Sequence, residues 1–469
     1  MNMSAADRNS NDDITIPPTG LAVLAVVGPS FVWCAEYIGT GEIILATRAG
    51  AILGNSILWA VVLGIFLKYW IGMCGARYTV CTGEGMIDMF SRLPGPKNWA
   101  VWIILVAQAL GAAVSIGVLA KAAGLFAASL VPLPPFLCSW ILTLAAVFLV
   151  WSGRFEYLKR SMTILVTVVI IGVGYVAFRT IPSLSELLRG LFFFNVPPIP
   201  EWAAGKAGPS AWNEIIPLMG WAAGGFASQV WYTYWVLGAG YGMARGRNYG
   251  EPADETRLKR MTGDGATKIL GWCRMVYTDA STALIIGITL TSAFMLAGAG
   301  ILHPRHLVPE SSQVATTLAT IFGSQWGRLG EKLFLIAGAT ALFKTQIGQL
   351  AGWPRLLSDS CRICLPGFGR IPWKRQFRGF LLGFLTLNFI IAFAVRSEPV
   401  RLIQMAAYLD GVLLVPLQAA AIIAGLYYIQ PRLLSQEAAR ILRPHWIFAV
   451  ALLAGALAYL FFAVIRWTL

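Results

Sequence analysis

The 469-residue sequence predicts an all-α, polytopic membrane protein. It is 57% hydrophobic and only 12% charged, whereas soluble domains carry about 25% charged residues. The net charge of +14 would suggest a nucleic-acid partner in a soluble protein. Here the basic residues concentrate in alternate loops, as in the cytoplasmic loops of membrane proteins. We therefore expect a lipid bilayer, and no nucleic acid, around this chain.

About eleven apolar segments are long enough to cross a bilayer, which requires roughly 20 residues. They are predicted at 20–50, 54–82, 99–128, 134–152, 161–181, 211–242, 267–299, 328–356, 375–396, 400–428 and 445–467. The polar residues 1–19 lack a signal-peptide pattern and are expected to form a disordered cytoplasmic tail. Residues 182–210 are expected to form an extracytoplasmic loop with an amphipathic helix. This arrangement predicts a multi-pass protein of the cytoplasmic (inner) membrane with an extracytoplasmic carboxyl terminus.

The first segment is interrupted by Gly39, Thr40 and Gly41, and it carries Glu36 and Glu42. A glycine inside a helix costs about 1 kcal/mol, and a charge at the bilayer centre costs about 2.5 to 3.5 kcal/mol. Irregular backbone at membrane depth occurs only where it is buried in protein or lines a watery cavity. The interruption therefore indicates a transport site.

The sixth segment has a second interruption, where Gly224 and Gly225 precede Ala227, Ser228 and Gln229. Two interrupted segments five spans apart are typical of an inverted-repeat transporter. We expect five-helix repeats at 20–181 and 211–428, followed by a loop and an eleventh helix at 429–469. In the alternative interpretation, the glycines merely allow close helix packing.

These motifs resemble those of the Nramp family of divalent metal-ion transporters. Gly28-Pro29-Ser30-Phe31 opens the first span as in the family, and residues 37–42 fill the break. The eighth span keeps Thr345, Gly348, Gln349 and Gly352 of a further family motif. The resemblance implies a LeuT-like fold with 5+5 inverted repeats, broken helices 1 and 6, and alternating access to a central ion site.

Several positions depart from the family pattern. The family's metal-binding aspartate and asparagine fall on Gly39 and Glu42, and its Met-Pro-His triplet falls on residues 227–229. Its proton-route carboxylates fall on Leu105 and Gln108. Because the thioether ligand is missing, a hard cation such as Mg²⁺ or Mn²⁺ is favoured over a softer metal. Strong proton coupling is not expected.

The expected substrate-binding residues lie at the two breaks: Gly39, Thr40, Gly41, Glu42, Ala227, Ser228 and Gln229. Glu42 and Gln229 are the expected metal ligands, although Glu42 could instead cap the second half-helix. Candidate pathway or relay residues are Glu36, Tyr37, Gln108, Tyr232, Lys344, Gln349, Tyr408 and Asp410. Asp410 could alternatively form an ion pair with Lys344 or Lys121, since charges within membranes commonly pair.

Two other functions remain open at this point. Lys344 and two half-helix amino ends would also suit a small anion such as bicarbonate. A receptor-like protein that does not transport is a further alternative. An enzyme is not expected, because no nucleophile and base constellation or phosphate-binding loop occurs. No cofactor is expected either, because Cys361 and Cys364 form an isolated CxxC in a predicted cytoplasmic loop.

Overall fold

The computed structural model describes residues 14–20, 28–154, 182–310, 313–394 and 399–468. Throughout these ranges, the regular structure is helical. The predicted fifth segment, 161–181, lies outside the described residues, as do residues 1–13 of the predicted tail.

The α-helices are labelled in chain order. They are α1 Pro29–Tyr37, α2 Thr47–Leu53, α3 Leu58–Thr82, α4 Met86–Ser91, α5 Trp99–Ala128, α6 Pro135–Val150, α7 Leu184–Phe192, α8 Trp212–Trp221, α9 Phe226–Ala239, α10 Glu255–Lys259, α11 Gly263–Ala297, α12 Val314–Cys364, α13 Trp373–Ala394, α14 Pro399–Tyr408, α15 Val415–Ala424, α16 Gln430–Leu433, α17 Gln436–Ile441 and α18 Trp446–Thr468. Wider π-helical turns occupy Gly41–Ala46, Gly298–Leu302, Leu409–Leu413 and Gly425–Ile429. Short 3₁₀ turns occupy Gly54–Ile57, Glu201–Ala203, Gly242–Ala244, His303–Arg305 and Phe368–Arg370.

Six helical stretches of the described chain are long and apolar enough to span a membrane. They are Gly41–Thr82, Trp99–Ala128, Gly263–Arg305, Gly327–Cys364, Val400–Leu433 and Trp446–Thr468. A multi-pass membrane protein is therefore confirmed, and the count of eleven spans stays a prediction.

The largest difference from the predicted segments concerns the eighth one. It is predicted at 328–356, whereas its apolar helical stretch runs from Gly327 to Cys364. The helical residues of α12 before it begin at Val314, but Gly327 has a left-handed φ of +58° and the rings of Phe322 and Phe334 lie 5.0 Å apart, so the chain turns back at Gly327. Cys361 and Cys364, which were expected in a loop, therefore lie in the last turn of this helix. Hydropathy marks only the part of a helix that matches the bilayer interior, whereas the backbone hydrogen bonds continue through its polar ends.

Residues 182–210, the predicted extracytoplasmic loop, contain the short helix α7. Helix α7 begins with a capping box, in which the Ser183 hydroxyl accepts a hydrogen bond from the Glu186 amide. The Glu186 carboxylate accepts one from the Ser183 amide at 3.1 Å. Such reciprocal bonds satisfy two amides that a helix start leaves without partners. The position of this helix at a membrane interface remains a prediction.

Both predicted interruptions are present. Helix α1 ends at Tyr37, residues 38–40 separate it from the turn Gly41–Ala46, and α2 follows. Helix α8 ends at Trp221, and residues 222–225 separate it from α9. Helix α1 packs against α9, α11 and α12, and α3 packs against α9 and α11. The broken helices therefore lie inside the bundle.

Helix α2 is held in place by close contacts between its backbone and that of a neighbouring helix. A Cβ atom on Gly50 would lie 2.0 Å from the carbonyl oxygen of Met295. A Cβ atom on Gly298 would lie 2.1 Å from the carbonyl oxygen of Thr47. Small residues allow membrane helices to approach this closely. These two glycines therefore fix α2, the helix after the first break, against the end of α11.

Candidate functional site

The first break, residues 38–40, is held by one lysine and one carboxylate. The Lys344 ammonium, from α12, donates hydrogen bonds to the carbonyl oxygens of Ala35 and Ile38, the latter at 2.5 Å. The Glu42 carboxylate accepts a hydrogen bond from the Gly39 amide at 2.9 Å. The last carbonyls and first amides of helices lack partners within the helix. At this break, charged side chains supply those partners.

The second break, residues 222–225, has an unwound backbone. Ala223 has a φ of +60° and Gly224 a φ of +74°. A left-handed conformation is uncommon for alanine and persists only where surrounding contacts impose it. The Lys68 ammonium, from α3, supplies such contacts by donating to the carbonyl oxygens of Gly220 and Gly224, the latter at 2.6 Å.

A carboxylate also meets the amide side of the second break. Asp410, in the π turn after α14, accepts hydrogen bonds from the Ala227 amide at 3.3 Å and the Gln108 side chain at 2.9 Å. The Gln229 side chain donates to the Ala223 carbonyl oxygen at 2.8 Å. A carboxylate at a helix start is favoured by the positive end of the helix dipole. The two breaks thus have the same arrangement of charge.

A cavity of about 40 Å³ lies between the breaks, with space for about three water molecules. Carboxylates, hydroxyls, an amide and aromatic rings all contribute to its wall. The polar residues are Glu36, Asp410, Thr40, Ser115, Ser228, Thr345 and Gln349, and the aromatic ones are Tyr37, Trp221, Trp231 and Trp353. The oxygen atoms of such a wall can replace part of the hydration shell of a small cation.

Glu36 joins the two broken helices at this cavity. Its carboxylate accepts a hydrogen bond from the Ser228 hydroxyl at 2.5 Å. The Ser228 hydroxyl in turn accepts one from the Trp33 indole at 3.1 Å. The Trp33 ring stacks on Tyr232 with centroids 4.4 Å apart. Helices α1 and α9 therefore hold Glu36 in a defined orientation.

The predicted site residues divide between the cavity wall and its surroundings. Those in the wall are Glu36, Tyr37, Thr40, Gly41, Ala227, Ser228, Gln349 and Asp410. Those outside it are Gly39, Glu42, Gln108, Gln229, Tyr232, Lys344 and Tyr408. The Glu42 contact with Gly39 is the helix cap that the sequence left open as an alternative.

Three of the predicted pathway residues direct their polar groups to other parts of the protein. The Tyr37 hydroxyl donates to the Ala283 carbonyl oxygen at 2.8 Å, although its ring borders the cavity. The Tyr232 hydroxyl donates to Asp279 at 2.8 Å. The Tyr408 hydroxyl lies 3.4 Å from the Ala463 carbonyl oxygen. These hydroxyls contribute to the packing of the helices around the site.

Sequence reasoning missed Lys68 and Asp279. The Asp279 carboxylate accepts hydrogen bonds from the amides of Gly28 and Ser30 at 3.1 and 2.9 Å, which fixes the start of α1. Lys68 holds the second break. A single charge inside an apolar segment is the signal that would have found both.

Ion pairs flank the site at both ends. Arg48 of α2 contacts Glu214 of α8 through two hydrogen bonds of 3.0 Å. At the other end of the site, Arg362 contacts Asp88 at 2.8 Å. Burial raises the pKa of Asp88 to about 6, and the contact with Arg362 opposes this rise. These pairs close the bundle around the breaks.

No group of three or more His, Cys, Asp or Glu side chains is arranged to hold a metal ion in the described parts of the chain. The cavity instead combines two carboxylates with neutral oxygens. A fully dehydrated divalent ion favours more anionic ligands than these, whereas Mg²⁺ usually keeps several waters.

Comparison with known sequences supports a metal-transporter relationship. The model of the family described as "Natural resistance-associated macrophage protein-like", Nramp, matches residues 30–206. The divalent metal cation transporter MntH of Yersinia enterocolitica is 32% identical over 97 residues, which are 20% of this chain and 24% of the relative. MntH of Pectobacterium carotovorum is 27% identical over 203 residues, or 42% of this chain and 48% of the relative. The matches thus span at most about half of these relatives.

The fold is similar over nearly the whole chain. A crystal structure of a mutant manganese transporter from Eremococcus coleocola matches with a TM-score of 0.69 and 14% identity, covering 99% of this chain and 90% of that one. The relatives and the structure named here are transporters, which agrees with the expectation that the chain is not an enzyme. Residues 30–206 therefore resemble the Nramp family, and the chain has the LeuT-like fold of the matched transporter structures.

Proposed function

We propose that this protein is a secondary transporter that moves a small cation, a divalent metal ion first of all, across the inner membrane. The observation that carries the proposal is the pair Glu36 and Asp410 in one cavity wall, where two interrupted helices meet. The names of the MntH relatives and of the structurally similar manganese transporter support the substrate class.

The donor atoms favour a hard, partly hydrated cation such as Mg²⁺ or Mn²⁺. The wall offers carboxylate, hydroxyl and amide oxygens, and none of its residues is a methionine, cysteine or histidine. Oxygen donors suit hard cations, and Mg²⁺ sheds its waters reluctantly. Thr40, in the first break, and Gln349, in α12, would complete the hydration shell.

Glu36 and Asp410 are proposed as ligands ahead of the expected pair, Glu42 and Gln229. Neither Glu42 nor Gln229 borders the cavity. Glu42 accepts from the Gly39 amide through Oε2, and Gln229 donates to the Ala223 carbonyl oxygen through its side-chain nitrogen. Both contacts satisfy backbone groups that a break leaves without partners. Glu36 and Asp410 already border the cavity.

The proposed transport cycle uses the predicted architecture of eleven spans. The repeats at 20–181 and 211–428 would rock around the cavity and expose it alternately to each side, with the amino terminus cytoplasmic. The Arg48–Glu214 pair would close one side of the site. Because the family's proton-route positions are Leu105 and Gln108, we propose transport without strong proton coupling.

The anion alternative receives less support from the geometry. It was suggested by Lys344, but that ammonium donates to backbone carbonyls and lies outside the cavity wall. The wall itself carries two carboxylates. Carboxylates repel an anion and attract a cation.

Uptake into proteoliposomes tests the proposal. The wild-type protein should take up Mn²⁺, and Mg²⁺ should compete. Glu36→Gln should reduce uptake at limiting Mn²⁺ by about 10- to 100-fold, because interactions with charged groups contribute roughly 1.5 to 3 kcal/mol. Asp264→Asn, which changes an exposed acid at the start of α11, is the matched control and should leave uptake unchanged.

Three results would contradict the proposal. Unchanged Mn²⁺ uptake by Glu36→Gln would remove Glu36 from the ligand set. Bicarbonate flux without any metal flux in the wild-type protein would favour the anion carrier. The absence of both fluxes would favour the receptor-like alternative.

A further inference from the structure

The two breaks share an arrangement of charge of which the proposed transport site uses only Asp410. At each break a lysine ammonium contacts two backbone carbonyls, and a carboxylate accepts a hydrogen bond from a backbone amide. Lys344 and Glu42 do so at the first break, and Lys68 and Asp410 at the second. The carbonyl end of a helix carries partial negative charge and the amide end partial positive charge. Each break is therefore neutralised by side chains of the protein itself.

Both ammonium groups are fully buried. Among the ion pairs of the described residues, none includes Lys68 or Lys344. Removing an ammonium group from water without such a partner costs several kcal/mol. The two carbonyl oxygens at each break must offset this cost. The carbonyls are thus the chemical partner of each lysine.

Converging backbone carbonyls are also the ligands that bind monovalent cations in membrane proteins. At the first break, the oxygens of Ala35 and Ile38 both point at the Lys344 ammonium. The Thr345 hydroxyl lies 3.2 Å from the Ile38 oxygen and borders the same region. This group of oxygens has the composition of a monovalent cation site, and a tethered ammonium occupies it.

We propose that Lys344 and Lys68 are tethered cations that permanently fill monovalent cation sites at the two helix breaks. The site at Lys344 becomes a binding site for a free monovalent cation, such as Na⁺ or ammonium, once the lysine side chain is removed. Resting on the proposed function, a corollary is that transport requires no co-transported Na⁺ or K⁺. The break carbonyls are then unavailable to the solute, which the cavity side chains must hold.

Lys344 offers the sharper test of the two. The Lys68 ammonium also lies 5.4 Å from the centre of the Tyr459 ring, so its removal would disturb a cation–π contact as well. The Lys344 ammonium donates its hydrogen bonds to the backbone carbonyls of Ala35 and Ile38. An added cation can therefore restore what Lys344→Ala removes.

Thermal unfolding of the purified full-length protein in detergent tests this proposal without relying on transport. The salts are NaCl, KCl, ammonium chloride and choline chloride at equal ionic strength, because choline is too large for the site. The wild-type Tm should be the same in all four. Lys344→Ala should have a lower Tm in choline chloride and should regain at least half of the loss in NaCl or ammonium chloride.

Two variants serve as controls. Lys344→Met fills the same space without a charge, so its Tm should be lowered equally in all four salts. Lys268→Ala removes a lysine from an ion pair at the protein surface and should match the wild-type protein in each salt.

The proposal is overturned by any of three results. These are specific stabilisation of the wild-type protein by Na⁺ or K⁺, a Lys344→Ala variant that no monovalent cation stabilises, and a Lys344→Met variant as stable as the wild type. If Lys344→Ala does not fold, the Tm values of the wild type and of Lys344→Met still test the proposal. Because none of these measurements involves Mn²⁺ uptake, failure of the transport proposal would be seen separately.

Discussion

The two helix breaks reach the same charge arrangement by different means. In the first break, the carboxylate comes from Glu42, which accepts a hydrogen bond from the amide of Gly39, three residues earlier. In the second, it comes from Asp410, 183 residues along the chain from Ala227. The first break contains no residue with a positive φ, whereas Ala223 and Gly224 are both left-handed. The amide side of the first break is thus capped locally, whereas both sides of the second break depend on distant contacts.

This difference has a physical consequence. A local cap forms wherever the helix forms, because both partners lie on the same short segment. A backbone held by remote side chains requires the surrounding helices to be placed correctly first. We therefore expect the second break to be the more sensitive of the two to substitution.

The largest effect is expected at the helix contact that supports the second break. A Cβ atom on Gly411 would lie 1.7 Å from the Gly220 carbonyl oxygen. Gly411→Ala should lower the free energy of unfolding by at least about 3 kcal/mol, because neither backbone can move away easily. Denaturant unfolding in detergent measures this loss, and a fall in the yield of folded protein would accompany it.

Gly379→Ala is the matched control for that substitution. A Cβ atom on Gly379, in α13, would have no other atom within 4 Å. This variant should be at least as stable as the wild type, since alanine is favoured over glycine in a helix by up to about 1 kcal/mol. Equal stabilities of the two variants would show that the backbone at the second break can shift to make room for a Cβ atom.

A smaller effect is expected from neutralising the carboxylates. Asp410→Asn removes a charge from the cavity wall and should lower Mn²⁺ uptake at limiting metal by about 10- to 100-fold. Glu42→Gln retains an acceptor for the Gly39 amide and should cost only about two- to fivefold, the size of a helix-dipole contribution.

Initial rates of Mn²⁺ uptake, normalised to the amount of reconstituted protein, compare these two variants. An equal or larger loss with Glu42→Gln would restore Glu42 as the metal ligand. It would also show that the first break moves during transport.

A loss of stability smaller than that of Gly411→Ala is expected for a substitution at the first break itself. A Cβ atom on Gly39 would lie 2.5 Å from the Thr345 hydroxyl oxygen, which belongs to a side chain rather than a backbone. Gly39→Ala should therefore cost about 1 to 2 kcal/mol of unfolding free energy. Adding Thr345→Ala should recover part of that loss. A double-mutant cycle measures the coupling, and strictly additive losses would contradict the contact.

Much of the helical framework was predictable from hydropathy. The segment predicted at 99–128 coincides with α5, and both breaks appear where glycine and charge interrupt an apolar run. The costs of glycine and of charge at membrane depth are local properties, so the sequence displays them directly.

The sequence did not show which of the predicted site residues border the cavity and which lie outside it. Glu36 and Glu42 lie on the same interrupted segment, yet only Glu36 borders the cavity. Lys68 lies in an apolar span and was overlooked, although it holds the second break. Hydropathy reports how deep a residue lies in the bilayer and does not report which neighbouring helix it faces.

The sequence by itself therefore determined that this protein has membrane-spanning helices, two of them interrupted, and a resemblance to the Nramp family. Only the tertiary structure decided which charges neutralise the breaks and which face the cavity. Lys344 and the Ala35 carbonyl are 309 residues apart in the chain. Their contact depends on how α12 packs against α1, because a buried ammonium is stable only where oxygen atoms of another helix surround it.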